Sequence, residues 1–298
     1  MSSVNTICLL GFGEVGSTLA DDLLASGSAQ IIAWDRQFED PSSRSSQRFA
    51  IVKSPNITQA QDTNEAVSTA DVVISAVTAS QAIPAAESVV QQMKQGAWYL
   101  DLNSVSPGTK KQLSAQVAAA GARFVEAAVM APIAPKRIAV PMLLAGADAD
   151  EFLPVARALG FTGMSVLSAA EGPAAASKMC RSIVIKGMEA LITEAMLTAR
   201  HFDVEQSVLE SLNNLFPHPD WQAYSAYMIS RSVEHGIRRA EEMNEVAKTV
   251  QEAGVDACMS RACAERQQWA GELGLGSMES DLHSMLDKIN SADANRKN

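Results

Sequence analysis

One lysine, Lys178, stands among small and apolar residues in the stretch EGPAAASKMCRS, residues 171–182. Such a lysine has two readings. It is an ordinary solvated helix lysine, or desolvation disfavours its ammonium form, lowers its pKa and lets it take and return a proton. Nothing inside the stretch decides. A second pattern upstream bears on the choice: Gly11, Gly13 and Gly16 fall in G-x-G-x-x-G spacing within CLLGFGEVGSTLADDLL. An apolar run from Thr6 precedes them and a helical pattern follows, which is the context this spacing needs. The first glycine permits a tight turn, the second lets a pyrophosphate approach the backbone, and the third lets the helix lie close on the strand. Phe12, Glu14 and Val15 complete the loop, whose helix start turns N–H groups and a positive dipole end toward phosphates. Asp35 closes QIIAWD, 19 residues after Gly16, where an acidic side chain holds the ribose hydroxyls of a dinucleotide. This carboxylate favours NAD because it repels a 2′-phosphate. Arg36 and Arg44 nearby keep NADP open, unless Arg36 only covers the adenine face as a flat stacking surface.

The elements that must position these groups are legible as two textures. Up to about Leu167, the apolar runs TICLLG, QIIAWD, ADVVISAV, AWYLDL, ARFVEAAVM and VPMLLAG read as strands. EVGSTLADDLLASG, ASQAIPAAESVVQQMKQG and SPGTKKQLSAQVAAAG read as helices between them. Alternation of this kind predicts a doubly wound α/β domain of Rossmann type with a mostly parallel sheet, residues 1–170. From Gly172 onward the strand signal stops. Pro173 suits a first helical turn, and the segment to about Phe202 has no further proline and only Gly187, so a long helix joins the first domain to an all-α domain, residues 171–298. Apolar residues at Val233, Ile237, Ala240, Met243, Ala247 and Val250 predict a helix that stops near Gly254. The terminal NSADANRKN is polar and reads as frayed.

Composition narrows the function classes. The 298 residues carry a formal charge of −10 with no basic block, which argues against nucleic acid as a partner. No apolar run is long enough to span a bilayer, and the N-terminus has no secretion-signal pattern, so no membrane partner is expected. Cys8, Cys180, Cys258 and Cys263 lack metal-ligand spacing and are too few for a disulfide scaffold. No metal and a reducing cytoplasm are the expectation.

The ordered set GFGEVG, DVVISAVTAS, YLDLNSVSPGTK and GPAAASKM resembles the β-hydroxyacid dehydrogenase superfamily, which includes 6-phosphogluconate and 3-hydroxyisobutyrate dehydrogenases. The resemblance covers roughly residues 5–200. RSVEHGIRRAEEMNEVAKTV looks like the branch with a DUF1932 C-terminal domain. It implies an NAD(P)-dependent oxidoreductase acting between nicotinamide and a 3-hydroxy acid or its oxo form. It implies that Val77 and Thr78 border the cofactor, that Asn103 and Ser104 touch the substrate, and that Lys178 is the acid/base. Ser106-Pro107 forms the better N-cap and first turn, which leaves Asn103 and Ser104 freer for a ligand. It also implies a homodimer built through the helical domain, which helps close the active site. Imine reduction on the same scaffold is the alternative, and a dinucleotide-binding regulatory protein without turnover is another.

Two departures set this chain apart from that family. The Asn usual one turn after the lysine is replaced by Arg181 and Ser182; Ser182 shares the face of Lys178 and could still bond substrate or amine. Where the family has a Ser-Gly-Gly loop, Met130, Ala131 and Pro132 stand, and Pro132 has no N–H to offer a carboxylate. A more apolar pocket and a bulkier or less charged substrate follow, unless Met130 merely packs an interface. In the helical half, His235 and Arg238 are open as substrate contacts. Arg239 reads as paired with Glu234, Glu241 or Glu242, and Glu189 as part of a helix–helix network.

Overall fold

The computed structural model describes residues 4–27, 29–39, 56–215, 220–278 and 281–297. Arg44 and residues 216–219 lie outside these residues. The chain divides into two compact units, Met1–Lys178 and Met179–Asn298. The division falls inside a long helix, a few residues past its start.

In the first unit, strands β1 (Thr6–Leu10), β2 (Gln30–Trp34), β3 (Ile57–Gln59), β4 (Val72–Ser75), β5 (Trp98–Asp101), β6 (Arg123–Val129), β7 (Met142–Ala145) and β8 (Met164–Ser168) form one sheet. Its order is β3-β2-β1-β4-β5-β6-β7-β8. Every pairing is parallel except β6 with β7. The chain leaves β1 for β2 on one side and returns to β4 on the other. This reversal opens a crevice at the carboxyl ends of β1 and β4, where such sheets bind ligands.

Helices cover both faces. Ile7, Leu9, Val72, Ile74, Leu100, Val125 and Ala127 point to the face packed by α1 (Glu14–Ser26). Cys8, Leu10, Val73, Tyr99 and Phe124 point to the other. That second face is packed by α2 (Thr63–Val67), α3 (Ala82–Val89) and α4 (Pro107–Ala119). With both faces buried, strand residues of either parity are apolar, so the strands read as continuous apolar runs. Two strands and three short helices escaped the sequence reading. β3 and β8 are edge strands, the first of three residues and the second alternating buried with exposed positions. The helices are α2, α5 (Ile133–Lys136) and α6 (Ala149–Ala158), the last with Pro154 in its interior.

The second unit is helical throughout. It takes in most of α7 (Pro173–His201), then α8 (Glu205–Leu215), α9 (Trp221–Glu252), α10 (Cys258–Glu272) and α11 (Leu282–Lys297). The polar stretch is helical as far as Lys297, not frayed: Trp269 Nε1 donates to Asp293 at 3.0 Å and Arg296 pairs with Glu272 at 2.7 Å. The helix containing Val233–Val250 is longer than expected and begins at Trp221, where Asp220 accepts from the Ala223 N–H at 3.1 Å as N-cap. Its closest neighbour is α10. A Cβ on Gly236 would lie 2.3 Å from the Gln267 carbonyl oxygen and 2.4 Å from the Gly271 nitrogen, so only glycines allow this approach.

Candidate functional site

The turn after β1 is built as the glycine spacing predicts. Gly11 has φ +93°, and a Cβ there would sit 2.6 Å from the Ala76 carbonyl oxygen. A Cβ on Gly16 would sit 2.1 Å from the Gly11 carbonyl oxygen, so α1 can start this close to the turn only with glycine there. Gly13 is the N-cap of α1, and the space beside it is open. Phe12 is fully buried against Phe38 with ring centroids 5.8 Å apart, so its side chain anchors the turn. Glu14 lies in the first turn of α1, and Val15 packs at the margin of the core.

Asp35 follows β2 directly. One carboxylate oxygen accepts from the Phe12 N–H at 2.7 Å and the other from the Gln37 N–H at 2.8 Å. Each oxygen keeps acceptor capacity for a ribose hydroxyl. Arg36 is exposed and donates to Gln81 Oε1 at 2.7 Å, across the mouth of the crevice. An enclosed turn, an open helix start and an acceptor at the end of β2 fit a dinucleotide.

The loops after β4 and β5 form the other wall. Val77 is half-buried and Thr78 exposed, with its hydroxyl 3.4 Å from that of Ser80. Asn103, an expected substrate contact, is engaged by the protein itself. It is buried, its Oδ1 accepts from the Val77 N–H at 2.7 Å, and its Nδ2 donates to Ser75 Oγ at 2.9 Å and to Asp101 Oδ1. Both amide hydrogens are therefore spent. The polar spacing looked like a ligand site because Ser106 and Pro107 do cap and start α4, with the Thr109 N–H donating to Ser106 Oγ at 3.2 Å. Of the partners that occupy Asn103, Ser75 and Val77 lie on and just after β4, and Asp101 ends its own strand, β5.

Ser104 remains half-buried at the mouth, and Lys178 Nζ donates to its hydroxyl at 2.5 Å. Two residues 74 positions apart in sequence thus meet in the first unit. The start of α7, which carries Lys178, is held from below. Glu126, fully buried on β6, accepts from the Gly172 N–H at 2.6 Å and from the Ala175 N–H. These are two of the donors a helix start leaves unpaired, and a carboxylate is well matched to them. Met130 packs half-buried against a small cluster that includes Ala128, Ala145 and Ala174. Glu126, Asp101 and Lys110 were missed in the sequence. Glu126 did leave a signal, a lone charge in the apolar run FVEAAV, which calls for a buried partner. Lys110 left none, since a lysine early in a helix is normally solvated.

The other candidates lie in the helical unit. Ser182 is buried, and its hydroxyl is 3.5 Å from Lys186 Nζ. His235 is half-buried, and its imidazole is held below the usual histidine value by burial and then by Arg231. Arg238 is exposed and pairs with Glu242 at 2.7 Å. Glu242 is half-buried and also pairs with Lys186, so one carboxylate serves two cations. Arg239 is paired, as expected, but with Glu189 of α7 and not with a glutamate of its own helix. That pair is buried, and Gln267 Nε2 also donates to Glu189 at 3.3 Å. Burial raises the Glu189 pKa and lowers that of Arg239, opposing both charges. Among the described residues no group of three His, Cys, Asp or Glu could hold a metal ion. No helix among them is long and apolar enough to cross a membrane.

The sequence of residues 6–172 matches the NAD binding domain of 6-phosphogluconate dehydrogenase. The chain belongs to this family of dehydrogenases. Its NAD-binding domain is the sheet unit just described, on a 3-hydroxyacid dehydrogenase-like fold. Residues 199–270 match a second family, a domain of unknown function, DUF1932. Human mitochondrial 3-hydroxyisobutyrate dehydrogenase is 23% identical over 230 residues, which span 75% of this chain but 65% of that enzyme. A conserved hypothetical protein from Sinorhizobium meliloti 1021 is 33% identical over 98% of this chain and 97% of its own, with a TM-score of 0.76. An imine reductase from Streptomyces aurantiacus shares the fold at 19% identity and a TM-score of 0.52, over 96% of this chain and 99% of its own.

Proposed function

We propose that the chain is an NAD(P)-dependent oxidoreductase that transfers hydride between nicotinamide and a 3-hydroxy acid or its oxo form, with Lys178 as acid/base. The observation that carries this is the meeting of Lys178 with Ser104 at 2.5 Å, beside the loops that follow β4 and β5. When bound, the nicotinamide supplies the hydride acceptor or donor. Gly11 to Gly16 would hold the pyrophosphate, Asp35 the ribose hydroxyls, and Arg36 the adenine face or a 2′-phosphate. Val77 and Thr78 would border the nicotinamide half. On oxidation the substrate hydroxyl gives its proton to Lys178 Nζ as hydride leaves the same carbon. On reduction Lys178 returns a proton to the oxo oxygen. Ser104 Oγ, by accepting from Nζ, holds the amine toward the crevice, and it is also the nearer substrate contact. Asn103 acts through Val77.

The substrate end of the reading rests on chemistry. Met130, Ala131 and Pro132 supply no hydroxyl, and Met130 presents a thioether against alanines. An acid with a branched or aromatic β-substituent suits such a wall better than a small, doubly charged one. The same apolar wall favours reduction of a C=N bond as a second reading, since that reaction also needs one proton donor and a hydride. Ser182, His235 and Arg238, in the helical segment 171–298, are proposed as substrate-side residues. That segment is also proposed to form a homodimer.

Lys178→Ala is the test. Turnover should fall by at least about 10²-fold, the lower range for a lost general acid/base, while NADH or NADPH still binds in a fluorescence titration. Unchanged turnover would remove Lys178 from the mechanism. A panel of hydroxy acids and imines distinguishes the two readings. Dinucleotide binding with no turnover on either panel favours a regulatory protein.

A further inference from the structure

The Asp101–Lys110 pair lies wholly inside the first unit, with side chains 0% and 1% exposed and Nζ 2.6 Å from Oδ2. Lys110 Nζ also donates to the Asp101 carbonyl oxygen at 3.1 Å. Removing two charges from water opposes folding, and an apolar pair of similar volume is often as stable. The pair has a visible consequence next to it. A carboxylate held beside an ammonium is an acceptor only. Its second oxygen takes a hydrogen from Asn103 Nδ2, so the amide nitrogen must face Asp101 and Ser75. The amide oxygen must then face the Val77 N–H, 2.7 Å away. A flipped amide would set N–H against N–H at Val77 and oxygen against oxygen at Asp101. Val77 in turn stands on the phosphate turn: a Cβ on Gly11 would come within 2.8 Å of its Cγ1.

We propose that the buried Asp101–Lys110 pair is a positioning device for the nicotinamide half of the cofactor. It fixes the Asn103 amide, which pins the loop after β4 to the crevice and keeps the adjoining Ser104 within reach of Lys178. This rests on the dinucleotide reading above. In a sheet that reverses between β1 and β4, the adenine half lies over β1 and β2, where Asp35 stands, and the nicotinamide half over β4 and β5. The device acts chiefly on the second half, since Asn103 bonds the loop after β4 and not the Asp35 side of the crevice. Asp101 and Lys110 are positioning residues, since neither reaches the crevice itself.

The experiment compares two ligands on the full chain. ADP carries the adenine half and the pyrophosphate, and NADH carries both halves; 2′-phospho-ADP and NADPH replace them if the wild type prefers the phosphorylated form. The variants are Asp101→Val with Lys110→Met, which replaces the pair by apolar side chains, and Asp101→Asn. An amide at 101 can offer its oxygen to Lys110 or to Asn103 but not to both. Fluorescence titration of each folded variant should show NADH binding weakened about tenfold, equivalent to about 1.4 kcal/mol, with ADP binding within about twofold of wild type. A role in folding alone would weaken both ligands by the same factor or neither, and either result overturns the inference. If the double variant does not fold, the same comparison on Asp101→Asn decides. A wild type that binds neither ligand overturns the dinucleotide reading and the inference together, whereas a wild type that binds both isolates the failure to Asp101 and Lys110.

Discussion

Glu126 shows how much of this site depends on single atoms that never meet a ligand. Its two oxygens serve the N–H groups of Gly172 and Ala175, at the start of the helix that presents Lys178. In Glu126→Gln one of those oxygens becomes an NH2 that opposes a backbone donor. The unsatisfied group should cost about 1–3 kcal/mol, read as a lower urea midpoint, and turnover should fall with dinucleotide affinity little changed. A midpoint equal to wild type would mean that water replaces the cap. His235 makes the opposite kind of residue-scale statement, about pH. Burial and the neighbouring Arg231 lower its pKa, as do Arg238 and Arg239, while Glu234 opposes them. The unfolded chain takes up this proton near 6.5 and the folded chain resists it until lower pH. The resulting stability is present above 6.5 and is lost as pH falls through the lowered folded value. Thermal midpoints measured from pH 7 to about 5 should drop more for the wild type than for His235→Gln, and parallel curves would assign the acid sensitivity elsewhere.

Among elements, the α9–α10 pair sets the helical unit. Gly236 and Gly271 face each other so closely that backbone meets backbone: a Cβ on Gly271 would lie 2.5 Å from the Ile237 nitrogen. Backbone atoms cannot rotate away as a side-chain tip can. Gly236→Ala must therefore part the two helices, loosening Met243, Val246, Cys263 and Ala264, which pack between them. Overpacking of this kind costs about 1–3 kcal/mol, and circular dichroism in urea should show it. An alanine variant as stable as wild type would mean that the helices slide freely. In the sheet unit the decisive element is the β4 loop, which is short and is held by the Asn103 side chain just past the end of β5. Its neighbour β1 ends in a glycine turn that tolerates no Cβ at Gly11. The crevice is thus shaped both by close backbone contact between adjacent strand ends and by the Asn103 side chain that bonds the β4 loop.

At the scale of the molecule, the helical unit leaves large apolar side chains in water. Leu191 is 58% exposed and Phe202 66%, and both line a groove of about 420 Å³ with Thr198 and Val208. Val184, Tyr227 and Ile237 are exposed on the same unit. An exposed apolar groove such as that of Leu191 and Phe202 commonly marks a docking face, and it supports the proposed homodimer. Leu191→Glu combined with Phe202→Glu should convert the dimer to a monomer in sedimentation velocity while the first unit still binds ADP. A wild type that sediments as a monomer removes the dimer from the proposal.

The sequence by itself determined the α/β unit and the helical unit after it, because local periodicity and turn chemistry survive without tertiary context. The Ser106 cap was legible for the same reason, and the glycine turn and Asp35 after β2 were legible because their spacing is a pattern of residue types along the chain. Edge strands β3 and β8 were not legible, because their short runs become strands only when a neighbour supplies the ladder. Nor was the division of labour around Asn103. Its type and position suggested a ligand contact, but Val77 and Ser75, distant in sequence, and Asp101, two residues before it, use its amide. That Lys110 is buried beneath the loop, and that Lys178 meets Ser104, was decided only by the packing of helices on the sheet. A charge carries no mark in the sequence of whether water or another residue will neutralise it. Packing alone assigns the partner.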